Sequence, residues 1–133
     1  MDWQGLESFS FGDNPTLADE LAELVLVGKK TATCWAACEG LLTEISKRMV
    51  MRDGAGHSRA VIETIELTQR RFPEVDAAFA YDEGEGDRTL SYWRKAHETY
   101  FTRLGQFAPD MLLYCERFRV VEIIDPPTNQ PGQ

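Results

Sequence analysis

Between positions 17 and 25 the apolar residues Leu17, Leu21, Leu24 and Val25 recur at helical spacing, with Asp19, Glu20 and Glu23 on other faces. Asn14-Pro15 supplies a cap and then a proline at the first helical position, where its missing N–H costs nothing. Gly28 suits the left-handed residue that ends a helix, and Lys29 and Lys30 are cations at its negative end. Beyond it the pattern changes. Thr31 to Trp35 is rich in β-branched and aromatic residues and predicts a short strand, while Ala36 to Leu42 fits either a helical turn or a loop. Arg48 to Arg52 and Arg59 to Thr68 predict two strands joined through Asp53-Gly54-Ala55-Gly56, a hairpin.

Pro73 opens a predicted short helix in which Val75 and Phe79 are four apart. The run Asp82-Glu83-Gly84-Glu85-Gly86-Asp87 interrupts it, being too rich in glycine and acid for a helix or strand. Asp87 is placed to cap the next helix, Leu90 to Leu104, along which Leu90, Trp93, His97, Phe101 and Leu104 share a stripe. Met111 to Ile124 predicts a long strand, and residues 126–133 a disordered tail after a domain spanning 1–125. Helices mixed with mostly antiparallel strands, and no βαβ series, make the class α+β.

Composition narrows the function. A chain of 133 residues with 43% apolar content builds about one domain with a real core. It has no apolar run of membrane-spanning length and no signal-peptide pattern in Met1 to Gly5, so a cytoplasmic protein with no membrane partner is expected. Asp and Glu outnumber Lys and Arg by 22 to 14, a net charge of −8. Holding long nucleic acid needs a basic face, so DNA is not an expected partner and a small, largely uncharged substrate fits better. RNA stays possible through a local cluster of Lys29, Lys30, Lys47, Arg48 and Arg52. Cys34, Cys38 and Cys115 are odd in number and read as reduced, buried small hydrophobes. Zinc would need more ligands than Cys34 and Cys38, and His57 and His97 lie in unrelated segments, so neither metal nor cofactor is expected.

Gly28-Lys29-Lys30-Thr31-Ala32-Thr33 has the form G-x-K-x-x-T, between a helix and a strand. Around it stand Phe11-Gly12-Asp13, Asp53-Gly54-Ala55-Gly56, Glu83-Gly84-Glu85-Gly86-Asp87, Leu90-Ser91-Tyr92-Trp93-Arg94-Lys95-Ala96-His97 and Cys115-Glu116-Arg117-Phe118. In this order the stretches resemble the ASCH domain family, whose members adopt a PUA-like β-barrel. One departure is Ser46-Lys47-Arg48, where the family pattern has a Gly-Asp turn, which implies an altered turn and two cations near the barrel mouth.

The resemblance implies one of several activities. One branch of the family consists of amidohydrolases that remove the acyl group from N4-acetylcytidine, using a lysine, a threonine and a downstream glutamate. These fall on Lys30, Thr33 and Glu83, with Glu85 as the rival for the third place. Other members resemble RNA-binding modules or ribonucleases. For amide hydrolysis Thr33 is the nucleophile, Lys30 the base, made neutral by burial, and Glu83 a proton relay. Trp35 would share the strand face of Thr33 and either stack on a pyrimidine or pack in the core, and Arg94 would reach the substrate or the acidic loop, or else form a surface salt bridge. Read without the family, Lys30 is a surface lysine at a helix end, Thr33 a β former, the acidic segment a solvated loop, and Trp93 and His97 core.

Overall fold

Asn14 caps the first helix: its side chain accepts from the Leu17 N–H at 2.8 Å, and α1 (Pro15–Leu26) begins on the proline. Gly28 follows the helix end with φ 83°, in the left-handed region where glycine costs little. Ala18, Leu21, Ala22 and Val25 are the buried face of α1. That face packs on Phe11, Met51, Ala60, Ile62 and Phe118. A computed structural model describes residues 3–128.

Five strands make one mixed sheet: β1 (Ser8–Ser10), β2 (Ala32–Ala36), β3 (Arg48–Arg52), β4 (Ser58–Arg71) and β5 (Leu112–Thr128), ordered β1-β3-β4-β5-β2. β1 runs parallel to β3, and every other pairing is antiparallel. The predicted β3–β4 hairpin is present. β1 was not predicted, being only three residues long. The sheet is α+β in class but open, not the closed barrel expected, because the edge strands β1 and β2 do not pair. Phe9 and Ser10 from β1 and Thr33 and Trp35 from β2 instead line one cavity, so the break in the sheet is a cleft.

Helices α2 (Ala77–Glu83) and α3 (Leu90–Arg103) cover a second core of Ala32, Phe72, Phe79, Trp93, Phe101 and Leu113, among others. Three local expectations change here. Pro73 lies in a 3-10 turn (Phe72–Glu74), and α2 starts only after Asp76, whose side chain caps the Phe79 N–H at 2.9 Å; Val75 is therefore outside that helix. α3 is capped by Thr89, not Asp87, which instead accepts from the Thr89 N–H and hydroxyl at 2.9 and 2.6 Å. α2 runs into the acidic segment through Glu83, and Gly84, at φ 76°, ends it. The last strand continues to Thr128, so residues 126–128 are extended; 129–133 lie outside the described residues. No helix among the described residues is long and apolar enough to cross a membrane.

Candidate active site

Lys30 follows α1 directly, and the turn after Gly28 sends its side chain inward. It is 1% exposed, the reverse of a surface lysine. Its ammonium donates to Glu83 Oε1 at 3.1 Å and to Glu85 Oε2 at 3.0 Å, with Phe11 5.3 Å away presenting a ring face to the cation. Both rivals from the acidic segment thus bind the same lysine. They differ in burial: Glu83 is 2% exposed and Glu85 24%.

The pairing depends on a close backbone approach. The Thr31 N–H donates to Asp82 O at 2.7 Å, and Arg88 to Lys29 O at 3.2 Å, joining the end of α1 to the end of α2. A Cβ on Gly84 would lie 2.3 Å from Lys29 O and 2.9 Å from Lys30 N, so only glycine permits this contact. The acidic segment is therefore a packed helix end rather than a solvated loop.

Trp93 and His97, one turn apart on α3, complete the surroundings of Glu83. Trp93 Nε1 donates to Glu83 Oε2 at 2.8 Å, and His97 Nε2 lies 3.5 Å from that same oxygen. His97 Nδ1 is 2.8 Å from Trp93 O; a carbonyl only accepts, so Nδ1 carries a proton. Both residues are packed together as expected of a core, with ring centroids 4.2 Å apart, yet both also face the site.

Burial is the largest influence on both partners of the ion pair, and it pushes both toward their neutral forms. For Lys30 it lowers the pKa, but Glu83 and Glu85 outweigh it and hold the lysine above its ordinary value. For Glu83 it raises the pKa, but Lys30, then His97 and the bonds from Trp93 and Cys34, leave the carboxyl below its usual value. The expectation of a lysine neutralised by burial is therefore corrected: Lys30 rests as an ammonium, because two carboxylates lie within hydrogen-bond distance.

A cavity of about 250 Å³ is lined by Lys30, Thr33, Cys34, Glu83, Glu85 and His97, among others. A second, of about 410 Å³, is lined by Thr33, Trp35, Lys47, Thr64 and Glu116 with the edge of β1. Thr33 borders both. Among the described residues no hydrogen bond joins Thr33 to Lys30, whose donors are taken by the two glutamates. Trp35 faces the larger cavity on the strand face of Thr33; its N–H is held by Gly40 O at 2.8 Å and its ring lies 5.9 Å from Tyr114. Arg94 is not part of the site. It is exposed on α3, lines neither cavity, and sits beside Phe72, Lys95 and Glu98.

Cys34 Sγ, one Glu83 oxygen and one His97 nitrogen lie within 4.8 Å of one another. The fold thus unites a cysteine and a histidine that the sequence left in unrelated segments. This donor set suits a divalent ion in type, but Lys30 already gives Glu83 its cation and Trp93 binds the oxygen that faces His97. Burial pushes the Cys34 thiol well above its ordinary value, and Glu83 adds to the effect, which opposes a thiolate ligand. Cys115 is buried as expected, but Cys38 is exposed.

Three residues were given no site role in sequence, His97 having been read as core. Phe11, His97 and Glu116 all line cavities, and each lies in one of the short motifs that carried the family resemblance. The Ser46 departure is also resolved. Ser46 itself adopts φ 73°, so the turn keeps the left-handed residue that glycine would supply. Of the basic cluster, Lys30 is buried in its ion pair, Lys47 pairs with Glu7 at 3.0 Å, and Arg48 with Glu63 at 3.4 Å.

The open five-stranded mixed sheet with its three α-helices is the architecture of a PUA-like α+β domain. Residues 7–122 match the family model described as "ASCH domain". This chain belongs to the ASCH domain family. A search of curated proteins finds no match. Among solved structures, an ASCH domain from Lactobacillus crispatus JV V101 is 32% identical with a TM-score of 0.81, covering 87% of this chain and 79% of its own. Protein EF3133 from Enterococcus faecalis V583 is 31% identical with a TM-score of 0.76, covering 88% and 77%. An ASCH protein from Zymomonas mobilis shares the fold at 13% identity and a TM-score of 0.59, covering 92% and 71%.

Proposed function

We propose that this protein is a metal-independent amidohydrolase that removes the acyl group from N4-acylated cytosine nucleosides, with Thr33 as nucleophile. One observation carries the reading: a buried lysine–glutamate pair, 3.1 Å apart, borders the same cavity as a strand threonine. The larger cavity, about 410 Å³, falls within the roughly 300–1,000 Å³ of small-molecule sites.

Because Lys30 rests charged, it becomes a base only after handing its proton to Glu83. Substrate entry that displaces the part-exposed Glu85 removes one of the two charges holding the ammonium, and burial then favours the neutral pair. The Lys30 amine takes the proton of Thr33, and the alkoxide attacks the acyl carbon. As the tetrahedral intermediate collapses, the C–N4 bond breaks and the nitrogen takes a proton from Lys30. This leaves cytidine and an acyl-threonine ester. Water, deprotonated by the same lysine, then cleaves that ester and restores the hydroxyl. Trp35 offers an aromatic face to the base.

The test is incubation of purified protein with N4-acetylcytidine, following cytidine by chromatography. Wild-type release, absent in Thr33→Val and unaffected by chelators, supports the reading. No release by the wild type would sink it.

A further inference from the structure

Glu116 is a buried acid that this mechanism does not use. It lies on β5 directly opposite Thr33 on β2, is 6% exposed, and lines the larger cavity. Thr64 Oγ1 donates to Glu116 Oε2 at 2.6 Å, and the Thr43 and Thr64 hydroxyl oxygens are 2.8 Å apart. A hydroxyl has one proton. With Oε2 free of a proton, Thr64 gives its proton to Glu116 and Thr43 donates in turn to Thr64, so the relay runs toward Oε2. The loop bearing Thr43 is fixed in place: Ser46 N–H donates to Thr64 O at 2.8 Å, and Thr64 N–H to Lys47 O at 3.0 Å.

The other oxygen, Oε1, has no hydrogen-bond partner among the described residues, and no cation pairs with the carboxyl. An ionised carboxylate there would be buried with a single bond from Thr64. Burial accordingly holds Glu116 above its usual carboxyl value, against the weaker pull of Thr64 and Lys30. Oε1 is the oxygen left for a ligand, and a ligand that brings an acceptor to it favours the acid form with its proton there, Oε2 already accepting from Thr64.

We propose that Glu116, set by Thr64 and Thr43, forms a substrate subsite that donates a hydrogen bond from Oε1 to an acceptor nitrogen in the ring of a 4-aminopyrimidine. That assignment rests on the reading of the Lys30–Thr33 site as one for N4-acylated cytosines, and it names the group that recognises the base. Ring nitrogen N3 of cytosine is such an acceptor, and the acylated N4 is attached to the adjacent carbon. Thr33 and Glu116 are opposite residues, so a base held at N3 carries its acyl group toward the nucleophile. Uracil carries N–H at that position and is rejected, two donors meeting head to head.

Titration calorimetry of the purified protein with cytidine, 3-deazacytidine and uridine tests the subsite without turnover. Cytidine is expected to bind about tenfold or more tightly than 3-deazacytidine, which lacks only the acceptor nitrogen, and than uridine. Glu116→Gln should keep this preference, since the amide N–H₂ donates where the acid O–H did and its oxygen still accepts from Thr64. Glu116→Ala should lose it. Equal wild-type affinity for cytidine and 3-deazacytidine, or no cytidine binding, overturns the subsite, as does a folded Glu116→Gln variant without the preference. A protein that discriminates but does not hydrolyse N4-acetylcytidine keeps the subsite and loses the hydrolase. One that hydrolyses without discriminating does the reverse.

Discussion

Replacing Lys30 by methionine keeps an unbranched stem against Phe11 and removes the charge. Glu83 is then left 2% exposed and without its cation. At an effective dielectric near 20, unit charges 3.1 Å apart attract by about 5 kcal/mol, most of which offsets their desolvation. Breaking a buried pair from one side typically costs about 3–5 kcal/mol. Trp93 still donates to the carboxylate at 2.8 Å, which puts Lys30→Met at the low end, about 3 kcal/mol. Glu83→Gln should cost less, about 2 kcal/mol, because Glu85 still neutralises the lysine. The double variant should cost about 2 kcal/mol less than the sum, since neither partner is left alone. Urea unfolding of all four proteins measures this cycle. pH adds a change of sign. In the wild type Glu83 lies below its ordinary value of 4.5, so its stabilisation is present above that pH and lost on acidification. Lys30 lies above 10.5, so its contribution is complete below that pH and lost as pH rises beyond it. In Lys30→Met burial raises Glu83 instead, so the variant gains on the wild type as pH falls through the carboxylate range. Additive costs, or a Lys30→Met variant within about 0.5 kcal/mol of wild type, would refute a coupled buried pair.

Thr33→Ser should keep part of the N4-acetylcytidine turnover while Thr33→Val and Lys30→Arg lose it, because a guanidinium does not surrender its proton; an active Lys30→Arg enzyme rules out lysine as the base. Gly84→Ala should destabilise by about 1–3 kcal/mol in thermal or urea unfolding, from the positive φ and the contact with Lys29 O, and a change below about 0.5 kcal/mol would show that the α1–α2 approach tolerates a side chain. Ser46→Gly should stabilise by about 1 kcal/mol, since the exposed serine occupies a left-handed conformation that glycine adopts freely, and a less stable variant contradicts that geometry. Arg94→Ala should leave both stability (within about 0.5 kcal/mol) and turnover unchanged, a loss of turnover returning Arg94 to the site.

The sequence determined what periodicity and local chemistry control. The Leu17–Val25 stripe, the Asn14 cap and Gly28 defined α1; β-branched runs around a Gly-rich turn defined the β3–β4 hairpin; and G-x-K-x-x-T with its companion motifs identified the family. Each of these signals is read within a few residues of chain, where backbone preference and side-chain spacing act directly. The tertiary structure decided what depends on distant segments meeting. Whether Lys30 is neutral or charged turned on Glu83 and Glu85, more than fifty residues away, reaching its ammonium in competition with burial. Arg94 and His97 share α3, but their positions around the helix sent one to solvent and the other to Glu83. In sequence Glu116 stood only as part of the Cys115-Glu116-Arg117-Phe118 motif; the pairing of β5 with β2 and β4 set it opposite Thr33 and beside Thr64. Spacing along a strand says which residues share a face, and the neighbouring strands decide whether that face meets water, a core or a cavity.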